Sequence, residues 1–85
     1  MFRCKQVVLS LAGRDKGQLL AVMHEDADGV WLADGKKRPI EHPKRKNPRH
    51  LRPLGIELGQ EAMTTNRALR RALRDCPQAD SKRDA

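Results

Sequence analysis

Between Gly13 and Pro53 the chain is punctuated so densely that only short elements fit. Gly13, Gly17, Gly29 and Gly35 are followed by Pro39, Pro43, Pro48 and Pro53. Apolar segments fill the gaps: QVVLSL from Gln6 to Leu11, QLLAVMH from Gln18 to His24, and VWLA from Val30 to Ala33. Each is aliphatic or β-branched and bounded by turn formers, the pattern of short strands. In the first, Val7, Leu9 and Leu11 alternate with Gln6, Val8 and Ser10, which predicts a strand with one buried face. Asp28-Gly29 and Asp34-Gly35 stand six residues apart, and hairpin turns favour this pair because glycine tolerates positive φ. Lys36 to Glu41 is expected to return as a fourth strand, held to an edge or a bulge by Pro39. Pro43, Pro48 and Pro53 fall within eleven residues, so 42–48 reads as an extended loop and Arg49 to Arg52 as a fifth short strand. Four or five short strands at such spacing predict an all-β fold, a small β-barrel.

The character changes after Gly59. Thr64, Thr65 and Asn66 offer helix N-caps ahead of NRALRRALRDC, which places Ala68, Leu69, Ala72 and Leu73 on one stripe flanked by Arg67, Arg70, Arg71 and Arg74. A C-terminal α-helix over about 65–75 follows, stopped by Pro77. Residues 78–85 are too polar to fold and are expected to be disordered. The division is a barrel over 1–55 and a tail over 56–85.

Composition narrows the function. With 85 residues, one Phe, one Trp and no Tyr, the core must be small and aliphatic, poor material for a deep catalytic cavity. The net charge is +7, and residues 36–52 hold eight Lys/Arg against one acid, while the remaining 68 residues hold ten of each sign. An excess so localised is an electrostatic footprint for a polyanion such as nucleic acid. The bland reading is a solvated basic loop. Cys4 and Cys76 form no metal or disulfide pattern and read as incidental thiols of a reducing compartment. The apolar run near the N-terminus is too short for a signal segment or a membrane span, so a soluble cytoplasmic protein is expected, with no membrane partner.

No reaction assembles from the residues. A phosphate loop of the Walker type needs G-x-x-x-x-G-K-[ST] ahead of a helix; Gly13 and Gly17 are separated by three residues and followed by Gln18-Leu19 and a strand. His24, His42 and His50 lack zinc spacing relative to either cysteine. Asp26 and Asp28 could make a weak divalent site, but turn-forming Asp is commoner. The sequence therefore predicts no enzyme, no metal and no cofactor.

Several features occur together: the aliphatic strand before Gly13, Lys16-Gly17, the apolar strand through Val22, Leu32-Ala33-Asp34-Gly35-Lys36, and Pro43-Lys44-Arg45-Lys46 followed by His50-Leu51. In this the chain resembles the KOW family over roughly residues 5–55. Of the ribosomal and NusG-type transcription-factor members, it more resembles the bacterial KOW-domain proteins akin to archaeal and eukaryotic large-subunit ribosomal proteins. Leu20 stands where many such motifs carry a further glycine. The resemblance implies an SH3-like barrel that binds RNA, ribosomal RNA foremost, within the translation or transcription machinery.

The expected RNA contacts are Lys36, Lys37, Arg38, Lys44, Arg45, Lys46, Arg49, His50 and Arg52, with Arg14 and Lys16 joining if the loops share one barrel end. Gly13, Gly17, Gly29 and Gly35 are read as structural turn residues. With Trp31 read as core, base stacking is minor and phosphates carry the binding. An alternative from another class is a protein-interaction module of the transcription or translation machinery. It would use the barrel, as SH3-like barrels often bind peptides, and the helix stripe, docked on a ribosomal or transcription protein. The bland reading of that stripe is packing against the barrel's own open end. The free protein is expected to be a monomer.

Overall fold

The computed structural model describes residues 2–76. The first apolar run forms β1, Gln6–Ser10, in which Val7, Val8, Leu9 and Ser10 are all buried. The expectation of one buried face fails here, because the strand has cover on both sides. Val7 and Leu9 share a cluster with Leu19, Ala21, Ala33, Leu69 and Leu73. Val8 belongs to the other face, with Leu20, Val22, Val30, Leu32 and Leu51. The C-terminal helix supplies the cover for the first face.

Four strands follow: β2, Leu19–Asp26; β3, Gly29–Ala33; β4, Lys44–Lys46; and β5, Leu51–Glu57. All neighbours are antiparallel, in the order β4-β3-β2-β1-β5. The strands β4 and β5 thus occupy opposite edges, yet only Asn47 and the 3-10 turn Pro48–His50 join them. A flat sheet of this size would hold its edges about 19 Å apart, four spacings of about 4.8 Å. A linker that rises only about 2 Å per residue through its 3-10 turn reaches about 13 Å. The sheet must therefore curl, bringing its edges together in a barrel-like arrangement. Val8, Leu20, Val22, Val30, Leu32 and Leu51 fill the inside of the curl.

Two strand assignments change. Residues 36–41 do not return as a strand. The Asp34 carboxylate accepts from Lys36 N at 2.8 Å and Arg38 N at 2.9 Å, and the Arg38 carbonyl accepts from Asp34 N and Gly35 N. These bonds close a compact loop that takes the amides a strand would need. The fourth strand is instead Lys44–Lys46, within the segment expected to be a loop. Asn47 caps the 3-10 turn through its side chain, and β5 begins at Leu51 and runs through Pro53. Proline is tolerated there because β5 is an edge strand and pairs only with β1.

The helix forms as expected. It spans Asn66–Asp75 (α1), with the Thr65 hydroxyl accepting from Ala68 N at 3.0 Å. Leu69 is fully buried and Leu73 nearly so. A 3-10 turn at Gln60–Met63, not anticipated, leads into it. Asn66 fixes the helix start to the loop after β3: its Oδ1 accepts from Ile40 N at 2.7 Å and its Nδ2 donates to Glu41 at 2.9 Å. The expected disordered end at 78–85, and Pro77 as helix stop, lie outside the described residues.

Candidate nucleic-acid interface

The turn between β1 and β2 is built by its own backbone. Gly17 N donates to Ser10 O at 2.8 Å, Lys16 N to Gly13 O at 3.2 Å and Gln18 N to Asp15 O at 3.0 Å. Gly13 and Gly17 take φ of +85° and +87°, the left-handed region open to glycine at little cost. Amides committed in this way do not form a phosphate cradle. What the turn presents to solvent is the side chains of Arg14 and Lys16.

Asp15 turns inward. Its Oδ1 lies 3.0 Å from the buried Ser10 hydroxyl and 2.8 Å from Lys46 Nζ, and the same ammonium donates to Ala12 O at 3.0 Å. Burial pushes the Asp15 carboxyl up, but hydrogen bonds from Lys46 and Ser10 and the charge of the ammonium outweigh it. The net result is a carboxyl below its ordinary value. Lys46, expected among the phosphate contacts, is therefore a structural cation. Its side chain is only 10% exposed and its charge is matched inside the protein.

Antiparallel pairing sets the first turn alongside the loop after β3, because Ala21 pairs with Ala33 and so β2 begins where β3 ends. Arg14, Lys37 and Arg38 converge there on a cleft of about 290 Å³ that Gln18, Asp15 and Asp34 also line. Of its two carboxylates, Asp15 is matched by Lys46, while Asp34, which accepts from the loop amides, offsets one of the three cations and leaves the cleft cationic. Among the described residues, no ion pair involves Arg14, Lys36, Lys37 or Arg38. Lys36 lies in an adjoining depression of about 240 Å³, which it shares with Arg70 and Arg74 of the helix. Gly35 makes that adjacency possible. It has φ +81°, and a Cβ there would run into the carbonyl of Asn66.

The remaining expected contacts are spread out. Lys44 and Arg45 are exposed on β4, with Arg45 opposite Trp31. Arg49 and His50 are exposed on the 3-10 linker, and Arg52 is exposed on β5, opposite Leu9. Lys16 is exposed but does not line the cleft. Segment 36–52 is thus no single patch; it wraps from the cleft along one edge strand to the other. Gly29 serves close packing, since a Cβ there would meet Arg45 Cγ and Lys46 O at 3.0 Å.

Trp31 is not a core residue. It is half-buried and stacks on exposed His24 with ring centroids 5.6 Å apart, while its Nε1 donates to Asp26 at 2.9 Å. That bond, with backbone donors from Asp28 and Gly29, holds the Asp26 carboxyl below its usual value. Among the described residues no three His, Cys, Asp or Glu side chains gather as metal ligands, and no helix is long and apolar enough to cross a membrane.

Sequence reasoning placed Arg67, Arg70, Arg71 and Arg74 only as flanks of the apolar stripe. Their adjacency to the cleft depends on how the helix docks, and the one available signal was four arginines within eight residues. No family model matches the chain, and no curated protein matches it significantly.

Proposed function

We propose that this protein binds structured RNA, ribosomal RNA foremost, by gripping phosphates, and that its curled sheet is an SH3-like barrel of the KOW type. The supporting observation is the convergence of Arg14 with Lys37 and Arg38 on one cleft, with Lys36 beside it and, among the described residues, no ion pair to any of them. Guanidinium groups grip phosphate oxygens bidentately and ammonium groups act as point charges. Four such contacts give a slope of about −3 in log K against log salt, through release of condensed counterions. Recognition is by backbone charge and shape, with low sequence specificity, and the activity is binding rather than reaction. The setting is the cytoplasmic translation machinery.

The protein-docking alternative used the barrel and the helix stripe, and the stripe is the part the packing bears on. Leu69 and Leu73 are buried in the cluster that contains Val7 and Leu9, so that stripe is already used. The test is a titration of a hairpin RNA at two salt concentrations with the wild type and R14Q/K37Q/R38Q. Affinity indifferent to salt, or unchanged in the triple variant, rules the reading out.

A further inference from the structure

The helix carries an electrostatic burden that its packing does not explain. Arg67, Arg70, Arg71 and Arg74 fall at i, i+3, i+4 and i+7, which puts them on neighbouring turns of one exposed surface. Together they line a depression of about 220 Å³, with no acidic residue among the described residues of its wall. Like charges at i+3 and i+4 repel, so each of the four neighbouring pairs weakens the helix. Arg67 adds to this, since it lies in the first turn, at the positive end of the helix dipole, and the helix's own first turn holds no acidic residue, the nearby carboxylate of Glu41 being bonded to Asn66. The compensation inside the protein is slight: Arg74 alone approaches an acid among the described residues, Asp75 at 3.9 Å, with both side chains largely exposed.

We propose that this arginine face of α1 is a second phosphate-binding surface, which extends the RNA footprint from the barrel cleft onto the helix. The inference rests on the RNA-binding reading above and adds four contacts that lie outside the basic segment. Continuity comes from Lys36, which shares a depression with Arg70 and Arg74, while Gln18 and Asp34 border both that depression and the cleft. A phosphate backbone laid across the first turn and the loop after β3 can run on to the helix past Lys36, Arg70 and Arg74. All four residues are arginines, whose planar fork matches phosphate oxygens in pairs. The helix is firmly mounted for this purpose, by buried Leu69 and Leu73 on one side and by Asn66 bonds to Ile40 and Glu41 at its start.

An anionic membrane would also attract these charges, but the geometry favours nucleic acid. Membrane-surface helices insert an apolar face beneath their basic one. Here that face is packed on the sheet, and among the described residues the large apolar side chain that is exposed, Leu11, lies beyond β1, outside the helix.

The experiment compares the full chain with R67Q/R70Q/R71Q/R74Q and with R14Q/K37Q/R38Q, using a hairpin RNA with a stem of about 16 base pairs. Affinity is measured across a salt series, alongside thermal melts without RNA. The helix variant is expected to bind more weakly, with the log–log salt slope shallower by about 3. Its melting temperature should be unchanged or raised, because repulsion has been removed. The pair variants R67Q/R71Q and R70Q/R74Q, each expected to flatten the slope by about half as much, give the same answer if the quadruple variant does not fold. If the helix variants keep wild-type affinity and slope while the cleft variant loses both, the second surface does not exist and the RNA-binding reading survives. If the wild type fails to bind the hairpin, or binds phosphatidylserine vesicles in its place, both proposals fall.

Discussion

Lys46 Nζ sits 2.8 Å from Asp15 Oδ1, and the two side chains are only 10% and 11% exposed. Lys46 ends the edge strand β4, whereas Asp15 belongs to the turn between β1 and β2. The ion pair therefore fastens one edge of the curled sheet to a turn that would be distant if the sheet were flat. Ser10 and the Ala12 carbonyl complete the coordination, so neither charge is buried without partners.

Removing one partner leaves the other charged and buried, which typically costs about 3–5 kcal/mol. Lys46→Met and Asp15→Asn should each lower stability on this scale in urea unfolding. The double variant should lose less than the sum, with a coupling above about 1 kcal/mol. Additive losses would mean that the pair does not act as a unit.

The same pair sets an acid response. The folded-state carboxyl of Asp15 titrates below its unfolded value of about 3.9, so the contribution is complete above that pH. It is lost as pH falls through the depressed folded value. Urea midpoints taken from pH 6 downward should therefore drop more steeply below about pH 4 for wild type than for Asp15→Asn. Parallel profiles would exclude Asp15 as a source of the acid sensitivity.

Gly35 and Gly17 share a left-handed backbone but differ in surroundings. A methyl group at Gly35 strikes the Asn66 carbonyl, whereas nothing lies within 4 Å of one at Gly17. Gly17→Ala should cost about 1 kcal/mol, the conformational penalty alone. Gly35→Ala should cost about 3 kcal/mol, since the helix start must also shift. Equal melting temperatures for the two variants would show that the helix does not press on the loop.

Leu69 is fully buried between helix and sheet. Truncation to alanine should cost about 2–5 kcal/mol, against about 1 kcal/mol for loss of the cap in Thr65→Ala. A Leu69→Ala protein as stable as wild type would mean that α1 is not held by this contact, and would return its stripe to a partner.

Much of this architecture was written in local sequence. Gly13, Gly17 and Gly35 marked turns because left-handed backbone is a property of single residues. The strands expected over 6–11, 18–24 and 30–33 and the helix over about 65–75 form at 6–10, 19–26, 29–33 and 66–75, because apolar runs and a Thr65 cap are short-range signals; Glu25 and Asp26, read as turn, extend the second strand. The tertiary structure decided what depended on contacts across the chain. Asp34 bonded back to Lys36 and Arg38, so the expected fourth strand became a loop and pairing moved to 44–46. Docking of α1 buried the second face of β1, and bulged pairing of β2 with β3 accompanied a Trp31 stacked outside on His24. The basic residues divide in the same way. Charge along the chain identified segment 36–52, but tertiary contacts decided the rest: the curl of the sheet drew Lys46 inward to Asp15, the pairing of β2 with β3 set Arg14 beside Arg38, and the docking of α1 set Lys36 beside Arg70. Composition counts charges, and folding decides which of them remain free to meet a partner.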